Sequence, residues 1–122
     1  MKTCELKENN EKPIVETKIF REIHERIVKN LLDVIVLVNL RERASLIGGY
    51  DVMELIHQEF DVLISPGTVY AVIYSMERDG LIEGKDAKGK RVYELTKKGE
   101  NKIKRITEMK ANILDSLTKI FI

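Results

Sequence analysis

Apolar residues recur at Ile19, Ile23, Ile27, Leu31, Ile35 and Val38, and Phe20, Val28 and Leu32 widen the stripe. Spacings of three and four predict one long amphipathic helix, from Pro13 or Thr17 to Arg43, that starts surface-like and becomes apolar nearly all round. The Gly48-Gly49 pair inside Ala44 to Gly49 breaks it. Helical spacing resumes from Tyr50 to Phe60 through Val52, Leu55 and Ile56. Asp61 to Ile64 is short and rich in branched residues, which suits a brief strand. Ser65 followed by Pro66 predicts a new helix start, because serine accepts orphan amide hydrogens and proline tolerates the first helical position. That helix runs to Asp79, with Gly80 as its stop. Leu81 to Lys85 and Arg91 to Thr96 are strand candidates joined by the turn-prone stretch Asp86 to Lys90. From Lys97 to the end a last helix carries Ile106, Met109, Ile113, Leu117 and Ile120 on one face.

Composition narrows the class. A chain of 122 residues, 43% apolar and 34% charged with 7 Gly and 2 Pro, fits one helix-rich globular domain and not a fibrous or low-complexity protein. The single Cys4 with His24 and His57 offers neither a disulfide nor a zinc spacing, and no cofactor is expected. No apolar run backs the charges of the first dozen residues, and the run Leu31 to Leu40 is too short to span a bilayer, so a cytoplasmic protein without a membrane partner is expected. The net charge of +1 is unevenly spread: residues 1–60 hold 9 basic and 11 acidic side chains, whereas residues 81–122 hold 11 and 6. That asymmetry is compatible with a local polyanion-binding surface, although a basic stretch is most often a solvated face.

Two helices, a third with a strong cap, and a basic hairpin form the plan of a winged helix-turn-helix, in which the third helix enters the DNA major groove. The expected fold is mainly α with a small β-hairpin, flanked by long N- and C-terminal dimerisation helices. Its parts are a frayed N-terminus over 1–12, a winged-helix domain over 13–99 and a C-terminal dimerisation helix over 100–122. On the third helix Val69, Val72, Ile73 and Met76 face the core, and Gly67, Tyr70, Ala71, Tyr74 and Arg78 lie opposite. Ser65, Thr68, Tyr70 and Tyr74 are candidate phosphate donors, and Ala71 is placed to touch a thymine methyl. Each tyrosine has an alternative, packing under the wing or against the first helix. Arg78 also suits the helix dipole. Lys85, Lys88, Lys90 and Arg91 crowd the hairpin against Asp86 alone, a repulsion that phosphate contact would offset. Lys97 and Lys98 sit where a helix start disfavours cations, which again implies a compensating anion. Ile106, Ile113, Leu117 and Ile120 form a seam interrupted by Lys110, and Ile19, Phe20 and Ile23 are its natural partner face in a homodimer.

The stretch from Ile47 to Glu100 strongly resembles the PadR-like winged-helix transcriptional regulators. The matching motifs are Gly49-Tyr50, Ser65 to Tyr70, Glu77 to Ile82, and Tyr93 to Gly99. The resemblance implies a homodimer built on terminal helices that binds double-stranded DNA at a palindromic operator, usually as a repressor. The short C-terminal region departs from the pattern. The sequence lacks tryptophan, so the aromatic drug-binding pore of some relatives has no counterpart, and a small-molecule effector is not identified.

Three other classes are weighed. An enzyme would need a nucleophile, base and orienting group, which one Cys and two His do not supply; His57 is expected to be a partly buried structural residue. A winged helix that meets protein instead of DNA would leave the wing cations unexplained. A thiol or metal sensor at Cys4 is the third.

Overall fold

The structure is a computed structural model that describes residues 14–43 and 47–122; Cys4 and the N-terminal twelve residues lie outside them. Along the chain run α1 (Ile14–Asn30), α2 (Leu32–Glu42), β1 (Ile47–Gly48), α3 (Gly49–Phe60), α4 (Pro66–Arg78), β2 (Ile82–Ala87), β3 (Lys90–Leu95), α5 (Lys97–Glu108) and α6 (Lys110–Ile120). The chain divides into two compact units, residues 1–30 and 31–122.

The first helix is not continuous as expected. The Asn30 side-chain amide donates to the Arg26 carbonyl at 2.8 Å in the last turn of α1. Leu31 follows with φ −111° and ψ 22°, and α2 starts beyond it with Asp33 in its first turn, where an acid suits the helix dipole. Within its own unit, α1 exposes Ile19, Phe20, Ile23 and Ile27.

In the second unit α2, α3, α4 and the sheet share one core. Leu32, Leu37, Ile56, Val62, Val69, Ile73, Ile82 and Ile103 are its most enclosed side chains. The predicted inner face of α4 holds, with Val69, Ile73 and Met76 buried and Val72 half-buried. Ile103 is fully buried, so the opening turns of α5 complete this core. His57 is exposed on the last turn of α3 rather than partly buried, because that turn's core positions are Leu55 and Ile56.

The small sheet has the order β1-β3-β2, antiparallel throughout. Its third strand is not Asp61 to Ile64. That segment buries Val62 and Ile64 and exposes Asp61 and Leu63, as a strand would, but it joins no ladder. The free edge of β3 is taken instead by Ile47 opposite Tyr93 and Gly48 opposite Val92. The first wing strand runs two residues further than expected and the second starts one residue earlier, so the turn between them is shorter: Ala87 pairs with Lys90, leaving Lys88 and Gly89 at φ 52° and 80°. Positive φ at both central residues is the hairpin geometry that matches strand twist.

The last helix is also divided, at Met109 (φ −99°, ψ 13°). Thr107 turns its hydroxyl back onto the Ile103 carbonyl at 2.9 Å, a bond that bends helices. No residue of α6 is buried. Three helices packed with a hairpin beside the third are the winged helix-turn-helix that the sequence pattern predicts.

Candidate nucleic-acid interface

The start of α4 is built by its own cap. Ser65 Oγ accepts the Thr68 amide at 3.2 Å and lies 2.9 Å from the Thr68 hydroxyl, while Pro66 fills the first turn. That turn carries no acid, so beyond the Ser65 cap no charge in the turn offsets the helix dipole, which favours an anion. At the other end the Gly80 amide reaches the Glu77 carbonyl and the Leu81 amide reaches Met76, both at 3.0 Å. With Gly80 at φ 79° this is a left-handed helix stop. It directs the chain straight into β2. Lys98 completes the stop by donating to the Asp79 carbonyl at 2.7 Å. The Lys98 ammonium is thus met by the carbonyl of a helix C-terminus, a dipole, and not by the anion that the sequence implied.

Along the outer side of α4, Thr68, Ala71, Tyr74 and Arg78 are exposed, and Tyr70 is half-buried. The two tyrosines differ in role. Tyr70 lies against the backbone of Gly49 at the start of α3, a packing contact different from the wing or first helix raised for it. Tyr74 stays 54% exposed, 5.9 Å from the Tyr70 ring centre and tilted by 35°.

All four tyrosines of the sequence, Tyr50, Tyr70, Tyr74 and Tyr93, line one groove of about 250 Å³, together with Lys90, Arg91 and the Gly48-Gly49 backbone. Tyr93 is its buried floor; burial pushes its hydroxyl above the usual tyrosine range, and the nearby Glu77 carboxylate adds to the shift. Tyr50, 72% exposed, is a candidate contact that the sequence reading did not single out. The signal for it was present: an aromatic on the first turn of a helix that follows two glycines.

The wing cations are not four free charges. Strand alternation places Arg91, Tyr93, Gly84 and Asp86 on one face and Lys85, Val92 and Glu94 on the other. Lys85 pairs with Glu94 at 2.5 Å, which raises the lysine above its usual range. Arg91 pairs with Glu77 at 2.8 Å and stands 3.8 Å from Asp86, and the Glu77 bond likewise raises it. Lys88 and Lys90 form no ion pair with a described residue. The repulsion that made the cluster look costly is therefore relieved within the fold for two of its four members.

Among the described residues no group of His, Cys, Asp and Glu could hold a metal, and no helix is long and apolar enough to cross a membrane. The seam expected at the C-terminus has Ile113 and Ile120 exposed and Ile106 and Leu117 half-buried.

Residues 36–105 match the model of the Transcriptional regulator PadR-like family. None of the curated proteins matches the chain significantly. Among solved structures, the chain is similar to a PadR family transcriptional regulator from Eggerthella lenta, with TM-score 0.70 and 19% identity over 89% of this chain and 97% of that one. A transcriptional regulator from Clostridium thermocellum gives TM-score 0.65 and 22% identity over 78% and 94%. F93 from STIV, a winged-helix DNA-binding protein, gives 0.56 and 23% over 70% and 91%. At these identities the structural likeness speaks for the fold alone.

Proposed function

Because the chain belongs to the PadR-like family, whose members are transcriptional regulators and not enzymes, we propose that it is a cytoplasmic, sequence-specific repressor that binds a palindromic operator as a homodimer. The observation that carries the reading is the convergence of the α4 tyrosines and the wing cations on one groove. Tyr74, Ala71 and Thr68 read the major groove or its rim, with Ser65 and Thr68 near phosphates and Tyr70 and Tyr50 bordering them. Lys88 and Lys90 meet phosphate from the wing tip, and Lys85 lies beside them in its pair with Glu94.

Two apolar faces support the dimer. Ile19, Phe20 and Ile23 on α1 and Ile113 and Ile120 on α6 are exposed in the single chain, and contiguous apolar surface of that kind is usually an interface. A second copy covers both faces in this reading, with Ile106 and Leu117 at the edge of the seam. A two-fold dimer requires a two-fold operator. Occupation of that duplex excludes other proteins from it, which is repression.

The test is selection of duplexes from a random-sequence pool by the full-length protein. The expected product is one enriched sequence with two-fold symmetry. A pool that stays random would overturn sequence reading and leave the winged helix as a protein-interaction module.

A further inference from the structure

The Arg91 side chain is held on four sides. Its Nη2 donates to Glu77 Oε2 at 2.8 Å, from the last turn of α4. Its Nη1 stands 3.8 Å from Asp86 Oδ1, the residue opposite it in the hairpin. Its guanidinium carbon lies 5.9 Å from the centre of the Tyr93 ring. The fourth side is Gly84: a β-carbon there would come within 2.7 to 2.9 Å of Nη2, Cζ and Nε.

These contacts follow from strand register. Residues 84, 86, 91 and 93 fall on the face of the hairpin that carries the buried Tyr93 and Ile82, and glycine at 84 leaves the lane along which the guanidinium passes. Arg91 therefore points from near the wing tip back toward the recognition helix. A free phosphate ligand would be expected to carry its charge outward, as Lys88 and Lys90 are able to do. The planar guanidinium also fixes direction in a way that a lysine ammonium does not.

From this geometry we infer that Arg91 is a positioning residue: through Glu77 it sets the angle between the wing and α4, so that wing lysines and α4 tyrosines fit one duplex together. The inference rests on the DNA-reading function proposed above, and replaces the phosphate contact expected for Arg91 from the sequence.

The two roles predict opposite outcomes for Glu77→Gln. That substitution removes a negative charge beside the DNA surface and releases Arg91. If Arg91 were a phosphate ligand restrained by Glu77, affinity for every duplex would rise and the salt dependence would steepen, by about 0.9 per added contact. If it is a strut, preference for the pool-selected duplex over a scrambled duplex of equal length falls by about tenfold, a size usual for a coupled pair, with the salt slope unchanged. Arg91→Ala should behave in the same way. A role in folding alone is separated by the melting temperature, which should stay near wild type in both variants. A steeper salt slope in Glu77→Gln, a flatter slope in Arg91→Ala, or preference kept in either variant would each overturn the strut. A wild-type protein that shows no preference between the two duplexes would overturn the DNA-reading function itself, and this role with it.

Discussion

Tyr70 lies so close to Gly49 that a β-carbon on the glycine would stand 2.5 Å from Cε1 of the ring. The helix α4 is thus seated on the backbone of α3, and the seat is available only while position 49 has no side chain. Gly49→Ala should destabilise the protein by about 1 to 3 kcal/mol through overpacking. Urea unfolding of Gly49→Ala, Tyr70→Ala and the double variant should show coupling, the double costing less than the sum. Additive costs would mean that the ring and the glycine do not constrain each other.

Tyr74 should behave in the opposite way. It is exposed, so Tyr74→Ala should leave unfolding nearly unchanged and weaken binding of the selected duplex by about 1 to 3 kcal/mol, the cost of one good groove contact. Lost stability with unchanged affinity, read from calorimetry and titration together, would assign Tyr74 to packing.

Gly67 sits in the first turn of α4, where a β-carbon would meet nothing within 4 Å and the backbone is not left-handed. Neither space nor conformation calls for glycine there. Gly67→Ala should therefore stabilise the protein, by about 0.4 to 1 kcal/mol from lower unfolded-state entropy. Should a DNA backbone approach that turn closely, the added methyl will weaken duplex binding as stability rises. Equal or tighter binding would remove the α4 start from the interface.

Lys88 occupies a left-handed backbone position, φ 52°, that favours Gly or Asn. Lys88→Gly should raise the melting temperature and lower DNA affinity, a conflict expected where a residue serves binding and not stability. Lys88→Ala with Lys90→Ala should flatten the slope of log affinity against log salt by about 3 to 4 units, if both lysines of each protomer in a dimer meet phosphate. Preference for the selected duplex should survive, since phosphate contacts position and do not read. An unchanged slope would take the wing tip off the DNA.

Much of this arrangement was legible in the sequence because it is local. The Ser65-Pro66 start of α4, the Gly80 stop and the buried face at Val69, Ile73 and Met76 depend on residues within one or two turns of each other. What was not legible depends on competition or register. Leu31 leaves the helix at φ −111° and ψ 22°, and nothing in the apolar spacing reports that. β1 is two residues long, too short for any periodicity, and wins the edge of β3 from the better-looking Asp61 to Ile64. Asp86 and Lys90 resemble turn residues yet belong to strands once Lys88 and Gly89 take the positive φ values. Only that register brings Glu94 to Lys85, and only the packing of the hairpin on α4 brings Glu77 to Arg91.

The C-terminal seam is tested by truncation, and Ile103 decides where the chain is cut. A chain cut near Gly99 would lose Ile103, which is fully buried in the core of its own protomer, and would unfold for that reason alone. A chain ending at Glu108 keeps Ile103 and removes only α6, none of whose residues is buried. Sedimentation equilibrium should show a dimer for the full chain and a folded monomer for the shortened one. A shortened chain that stays dimeric would exclude α6 from the interface.

The central claim, that the α4 and wing surface reads DNA, is tested most directly by the affinity of the wild-type protein for the pool-selected duplex and for a scrambled duplex across a range of salt. Four wing lysines in a dimer predict a slope of about −4 or steeper for both duplexes, with the selected one bound about a thousandfold more tightly or better throughout. Equal affinity for the two duplexes, or affinity that does not respond to salt, would contradict it.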